Sequence, residues 1–300
     1  MRGEISIRPP LDEYPCRRRH WALRSHRGTL LRVQDARVRD EGERMESMIW
    51  VNGIKNGGVP GDDPGLTRGL TVFETLRTYG RHPFGLEPHL DRLYASADSM
   101  DITLQPRETV RQTILEACRE DVWMRYTATA GGNWILQTAP VDPARIWGPV
   151  EVACMPWSPP PALPGAVKHG SRAAWVLAAR RRGVDEVLLV SPEGEILEAN
   201  RSNVVAVVNG VLRTPPLDGR QLSGVTRSAL LAAAAEKGLP FEETTITLDD
   251  DFEELYLTST LKEMAPVVAI DGAPGPGAGP VGTALHAAFR AYVQARSGAQ

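Results

Sequence analysis

The stretch Thr71 to Tyr79 constrains the chain more than any other, because its chemistry alternates with the period of two that belongs to a strand. Phe73, Thr75, Arg77 and Tyr79 fall on one face, and Val72, Glu74, Leu76 and Thr78 on the other. A strand needs neighbours, and the flanking sequence supplies them. Ile49-Trp50-Val51 before the Asn52-Gly53 turn reads as an earlier strand, and about Trp123 to Thr129, before Gly131-Gly132, as a later one. Between them the spacing predicts helices over about Leu86 to Met100 and Pro106 to Cys118. Residues 46–139 therefore read as a small α+β domain.

Pro140, Asp142, Pro143, Gly148 and Pro149 break any helical spacing, so residues 140–149 are expected to form an interdomain linker. Beyond it, residues 150–296 read as a second, larger domain. Its predicted strands are Val150 to Met155, Glu186 to Val190, Val204 to Val208 and Glu254 to Thr258. Its predicted helices lie around Ser171 to Arg182 and over Thr226 to Lys237, where Ala229 to Ala235 is a small-residue face suited to close packing. A Pro-Gly-rich surface loop, Ala273 to Pro280, precedes a C-terminal helix. Residues 1–45 have a different character: arginine and proline without periodicity, including Arg17-Arg18-Arg19. They are expected to be a disordered N-terminal extension. Glu4, Asp12, Glu13 and Pro9-Pro10 argue against a transit peptide.

Composition removes several classes of function. A formal net charge of -3 provides no excess of cations for a phosphate backbone, so no nucleic-acid partner is expected. No run approaches the roughly eighteen apolar residues that span a bilayer, and a cytoplasmic location with a small-molecule substrate is expected. Cys16, Cys118 and Cys154 are widely spaced and odd in number, which predicts neither a disulfide framework nor a metal site. The glycines between Gly57 and Gly69 lack the Gly-x-Gly-x-x-Gly spacing of a dinucleotide loop. Basic residues number 34, yet the lysines are only Lys55, Lys168, Lys237 and Lys262. Arginine stays protonated, so amine nucleophile chemistry has four candidates. Lys55 and Lys237 read as exposed.

Four ordered segments resemble the class IV aminotransferases, the fold type IV pyridoxal-phosphate (PLP) enzymes. The first is Gly69-Leu70-Thr71-Val72-Phe73-Glu74-Thr75-Leu76-Arg77 followed by His89-Leu90-Asp91-Arg92-Leu93. The second is Val167-Lys168-His169-Gly170-Ser171-Arg172. The third runs from Asp185-Glu186-Val187-Leu188-Leu189 through Gly194 to Glu198-Ala199-Asn200-Arg201-Ser202-Asn203-Val204. The fourth joins Thr214-Pro215-Pro216-Leu217, Leu222-Ser223-Gly224-Val225-Thr226-Arg227 and Leu257-Thr258-Ser259-Thr260 with Ala265-Pro266-Val267. The interval from Lys168 to Asp185-Glu186 is about three residues shorter than the family pattern, which suggests a shortened helix. The tyrosine that helps hold the cofactor in branched-chain enzymes is replaced by Ser171-Arg172.

The resemblance implies a two-domain α+β / α/β fold like that of D-amino-acid aminotransferase, PLP as cofactor, and a homodimer. It implies Lys168 as the Schiff-base lysine and Glu198 as the carboxylate that keeps the ring nitrogen protonated. It implies a phosphate cup of Arg92, Thr260 and the backbone of Val225 and Thr226, at a helix N-terminus suited to an anion. Lys262 lies beside this cup, on the phosphate side and not at the aldehyde. Phe73, Thr75 and Arg77 share a strand face, Arg125 resembles the arginine of a Tyr-x-Arg motif with Trp123 in place of tyrosine, and Arg172 follows the lysine. Phe73, Arg77, Arg125 and Arg172 are thus the substrate candidates, each arginine equally open to a structural ion pair. His89 and His169 read as structural.

Amino transfer between an amino acid or amine and a 2-oxo acid is the expected reaction, within amino-acid metabolism. The alternative is 4-amino-4-deoxychorismate lyase, which releases pyruvate. Phe73-Glu74-Thr75-Leu76-Arg77 is closer to that enzyme than to the Phe-Glu-Gly of branched-chain enzymes, and Thr260-Leu261-Lys262 resembles its Ser-Leu-Arg. A D-amino-acid aminotransferase is a third enzymatic option, whose characteristic Arg-x-His is not evident after Tyr126. A non-catalytic PLP-binding homologue remains the last alternative, opposed by intact Lys168 and Glu198.

Overall fold

The computed structural model describes residues 47–297, so the expected extension over residues 1–45 lies outside the described residues. In chain order the first elements are β1 (Met48–Val51), β2 (Ile54–Lys55), α1 (Pro64–Arg68), β3 (Thr71–Tyr79), β4 (His82–Pro83), α2 (Leu86–Asp98), α3 (Arg107–Ala117), β5 (Val122–Thr129) and β6 (Trp134–Pro140). They build a six-stranded antiparallel sheet of order β2-β1-β6-β5-β3-β4. The alternation of β3 decides its packing. Val72 and Leu76 are fully buried and meet Leu90 and Leu93 of α2, Ile114 of α3 and Met124 of β5. Strand β6 was not expected from the sequence. Its hydrophobic signal is diluted by Gln137 and Thr138, and only its pairing with both β1 and β5 makes it a strand.

A short 3-10 turn, Pro143–Arg145, capped by Asp142, leads to the remaining elements. These are β7 (Val150–Pro156), α4 (Ala173–Arg182), β8 (Glu186–Val190), β9 (Ile196–Ala199), β10 (Asn203–Val208), β11 (Val211–Thr214), α5 (Val225–Lys237), β12 (Phe241–Glu243), β13 (Glu254–Ser259), β14 (Glu263–Ile270), β15 (Ala273–Pro274) and α6 (Pro280–Ser297). Nine strands form one sheet, β12-β11-β10-β13-β14-β7-β8-β9 with β15 beside β14. One face holds Val152, Leu188, Val204, Leu255 and Val267. The other packs Val205, Val207 and Tyr256 under α5 and α6 through Leu230, Ala233, Leu285 and Phe289. The small-residue face of α5 is thus close packing, as expected.

Strand β14 went unread because Pro266 sits in its middle. Proline donates no ladder hydrogen bond, and it is accommodated next to a register shift between Val267 and Ala269. Two residues of the expected loop Ala273 to Pro280 also pair, as β15.

At the start of β14, fully buried Glu263 gathers groups from distant parts of the chain. Its carboxylate accepts from Arg77 Nη1 at 3.1 Å and Tyr79 Oη at 3.0 Å, both on β3, and from His286 Nε2 at 2.7 Å and Arg290 Nη1 at 3.1 Å on α6. His286 in turn stacks on Trp147. A buried carboxylate is tolerated only when so supplied with donors, and removing it strands a buried arginine. Replacing Glu263→Gln should lower stability by about 3 kcal/mol in urea unfolding. Adding Arg77→Met should recover part of that loss, because the unpaired charge is what destabilises.

Candidate active site

Lys168 is held by its backbone before its side chain matters. Its carbonyl accepts from Phe73 N at 3.1 Å, its N–H donates to Ser96 Oγ on α2 at 3.0 Å, and Gly170 N donates to the Thr71 carbonyl at 2.8 Å. Val72 and His169 form an antiparallel bridge between these bonds. The segment therefore lies along β3 like a short extra strand. A side chain at Gly170 would collide with Thr71 Oγ1, which explains the glycine. The Lys168 amine then rests 4.8 Å from the centre of the Phe73 ring. Burial, assisted by the charge of Arg92, depresses its pKa to about 7.

The amine opens on a cleft of about 570 Å³, counted out to its mouth. Arg92, Glu198, Asn203, Val225, Thr226, Thr258 and Thr260 share its wall with Lys168. Glu198 accepts from Leu222 N at 3.1 Å and Asn203 Nδ2 at 3.4 Å, both on Oε2. No hydrogen bond reaches Oε1 among the described residues. Burial raises the Glu198 carboxyl to about 7, although the Leu222 N–H and nearby cations oppose the rise.

On the same cleft, α5 starts after Gly224, its N-cap, without a side-chain cap. Its first N–H groups, including those of Val225 and Thr226, offer a positive end to an anion. Gly224 is required by contact, since a Cβ there would strike Asn203 Oδ1. The Thr258 hydroxyl, on the same wall, is buried and has no partner among the described residues.

Arg92 is fixed by a residue that the sequence reading did not assign. Its Nε and Nη2 donate to the two oxygens of Glu74 at 2.7 and 2.8 Å, and its Nη1 donates to the Ser223 carbonyl at 2.6 Å. His89 Nδ1 donates to the same carboxylate at 2.7 Å, which agrees with its structural reading. Burial alone would raise the Glu74 pKa, but Arg92 and His89 hold it far below the ordinary carboxylate range. A signal for Glu74 was present: it shares a strand face with Val72 and Leu76, where an unpaired carboxylate cannot remain. Arg92 thus reaches the cleft with its fork engaged, tying β3 and α2 to the loop before α5.

The substrate candidates separate. Arg77, like Phe73 and Arg125, is not among the residues that line the cleft; it pairs with Glu263, and the Tyr79 ring lies 4.1 Å from its guanidinium carbon. Arg125 lies 3.7 Å over the Phe73 ring, and burial lowers its pKa. Arg172 lines the cleft and sits 5.6 Å from the Phe73 ring and 4.7 Å from the ring of Trp175. Lys262, expected beside the phosphate cup, is instead ion-paired with buried Glu186. Lys55 and Lys237 are exposed, as read. The other lysines are therefore occupied or remote, and Lys168 alone of the four opens on this wall. Helix α4 has ten residues, ends at left-handed Gly183, and contributes Trp175 to the cleft wall.

The sequence profile of the amino-transferase class IV family matches residues 71–270. The chain is a class IV aminotransferase. This transaminase is 33% identical over 259 residues to a Methanocaldococcus jannaschii protein assigned as a branched-chain-amino-acid aminotransferase, covering 75% of this chain and 88% of that one. It is 28% identical over 263 residues to the Escherichia coli K12 branched-chain-amino-acid aminotransferase, covering 75% and 84%. Among solved structures it resembles the fold IV transaminase CpuTA1 of Curtobacterium pusillum, at 26% identity and TM-score 0.70, over 84% of this chain and 100% of that one. It also resembles a Mycobacterium tuberculosis aminotransferase in its PLP-bound form, at 25% identity and TM-score 0.70, over 84% and 100%. The fold is therefore that of the fold type IV transaminases, and amino transfer is favoured over the lyase reaction.

The donor set of the aminotransferase fits PLP on three counts. An amine poised near neutrality suits an aldehyde, a carboxylate with a free oxygen suits a ring nitrogen, and an uncapped helix start with an orphaned hydroxyl nearby suits a phosphate. The pH dependence follows from the sign of the shift. Below about pH 7 the amine is protonated and inert, and above it the neutral nucleophile dominates. The rate at which added PLP becomes attached, followed by stopped-flow absorbance, should rise about tenfold per pH unit below that point and level off above it. An unperturbed lysine would keep rising towards 10.5.

Proposed function

We propose that this chain binds PLP through Lys168 and transfers an amino group between an amino acid and a 2-oxo acid. The observation that carries the reading is the convergence of Lys168, Glu198 and the uncapped start of α5 on one cleft. When bound, PLP supplies an electron-withdrawing ring that stabilises negative charge developing at the substrate's α-carbon. The chain's own residues do the rest. The Lys168 amine would hold the aldehyde and supply the base for the α-proton, a task suited to a group that titrates near neutrality. Glu198, whose Oε2 accepts from Leu222 N and Asn203 Nδ2, would be the carboxylate for the ring nitrogen. Val225 and Thr226 at the helix start, the Thr260 hydroxyl and the charge of Arg92, immobilised by Glu74, would hold the phosphate. Phe73 backs the lysine, and Arg125 and Arg172 stand beside it.

The finer features belong to the same proposal. A homodimer in the cytoplasm is the arrangement that the family resemblance supports, and no helix among the described residues is long and apolar enough to cross a membrane. The division into residues 46–139, 140–149 and 150–296 is supported by the two sheets, whose strands fall on either side of the 3-10 turn. The amino donor class suggested by the M. jannaschii and E. coli relatives is the branched-chain amino acids.

Holoenzyme incubated with a panel of L- and D-amino acids plus 2-oxoglutarate or pyruvate should give the new amino acid and the new 2-oxo acid in equal amounts. Lys168→Ala should reduce kcat/KM by a factor on the order of 10²–10⁴. Pyruvate released from 4-amino-4-deoxychorismate, without transfer to any 2-oxo acid, would assign the lyase reaction instead.

A further inference from the structure

Arg172 is unusual among the arginines of the cleft. Arg92 is bound by Glu74 and Ser223, Arg77 lies outside the cleft on Glu263, and Arg201 donates to the Asp185 carbonyl. Arg172, by contrast, has no hydrogen bond or ion pair from its side chain among the described residues. Two aromatic rings hold it: Trp175 at 4.7 Å and Phe73 at 5.6 Å from the guanidinium carbon. Aromatic contact of this kind engages the guanidinium through its π-system and leaves the N–H donors available. Burial without a paired carboxylate is costly for the cation, and the Arg172 pKa falls to about 10 for that reason, with only partial relief from Glu198.

A second unused donor lies beside it. Trp175 is 7% exposed, lines the same cleft, and its indole N–H has no acceptor among the described residues. Its ring is fixed edge-on against Trp157 at 5.0 Å. Buried N–H groups are nearly always paired, so an orphan on a cleft wall points to an acceptor that arrives with a ligand. His169, whose imidazole is neutral at ordinary pH because burial pushes it to about 4, lies with its ring 5.7 Å from that of Trp175 and brings no negative charge. The Lys168 amine meets the same Phe73 ring that Arg172 approaches, so the arginine stands beside the reacting position.

We infer that Arg172, with the Trp175 indole N–H as second donor, forms a carboxylate subsite that makes this cleft select amino acids and 2-oxo acids over simple amines and aldehydes. This rests on the PLP-transaminase reading above and names the substrate class of that site. Arg172 is in this account a specificity-determining residue, not a group that handles the proton.

The test uses PLP-loaded enzyme and two inert ligands of matched shape, hexanoate and hexanamide, with affinity measured by calorimetry. Wild type should prefer hexanoate. In Arg172→Met the hexanoate-to-hexanamide preference should fall about ten- to a hundredfold, the effect expected for a lost charge-assisted hydrogen-bond pair. Trp175→Phe keeps a ring under the guanidinium and should lower the preference by a smaller factor. Arg172→Lys should restore part of it. The same variants should raise KM for 2-oxo acids more than they lower kcat. An Arg172→Met enzyme that retains the wild-type preference, while wild type transaminates amino acids normally, overturns the subsite alone. A wild-type protein that takes up no PLP and transfers no amino group overturns the subsite together with the reading beneath it.

Discussion

Two backbone hydrogen bonds, Phe73 N to the Lys168 carbonyl and Gly170 N to the Thr71 carbonyl, set the rest of the site in place. They join residues nearly a hundred positions apart in sequence. They also make the lysine segment a continuation of the first sheet's hydrogen bonding, although its own neighbours in sequence belong to the second sheet. Once Lys168 is anchored to β3, its amine has little choice of surroundings. Phe73 lies 4.8 Å from it, and Arg92 is one turn of α2 away from the Ser96 that holds its N–H. The depressed pKa follows from that placement, not from any property of lysine itself.

Two buried carboxylates, Glu74 and Glu263, act by holding cations. Glu74 on β3 grips Arg92 of α2, and Arg92 extends to the carbonyl just before α5. Glu263 does the same with Arg77, Tyr79, His286 and Arg290 between β3, β14 and α6. Such buried pairs add little net stability compared with apolar packing, because desolvation offsets most of the attraction. Their benefit is directional. Each fixes the relative position of elements from different sheets, and the Glu74 network does so within reach of the amine and the helix start that share the cleft.

The elements with a strong period were legible in the sequence: β3 was read to the residue, and α2, α3, α5 and β8 within two positions of their observed ends. Strands β6, β9, β11 and β14 were not, for physical reasons. They are short, interrupted by Pro266, or made strands only by partners that lie far away in sequence. The candidate site divided in the same way. Lys168, Glu198, Val225, Thr226 and Thr260 could be placed because each is tied to a local motif, and the structure brings them to one wall. Arg77 could not, since strand alternation gives a face but not the partner on that face, and Glu263 lies 186 residues away. Glu74 was overlooked for the same reason, although an acid on an apolar strand face was itself a clue.

The account stands or falls on which amine holds the cofactor. Reduction of the PLP-loaded protein with borohydride, followed by peptide mass mapping, reads this directly, because only four lysines exist to carry the label. The label should appear on Lys168 and vanish in Lys168→Ala, with Lys262 left unmodified by its pairing with Glu186. A label on Lys262, Lys55 or Lys237, or one that survives unchanged in Lys168→Ala, would contradict it.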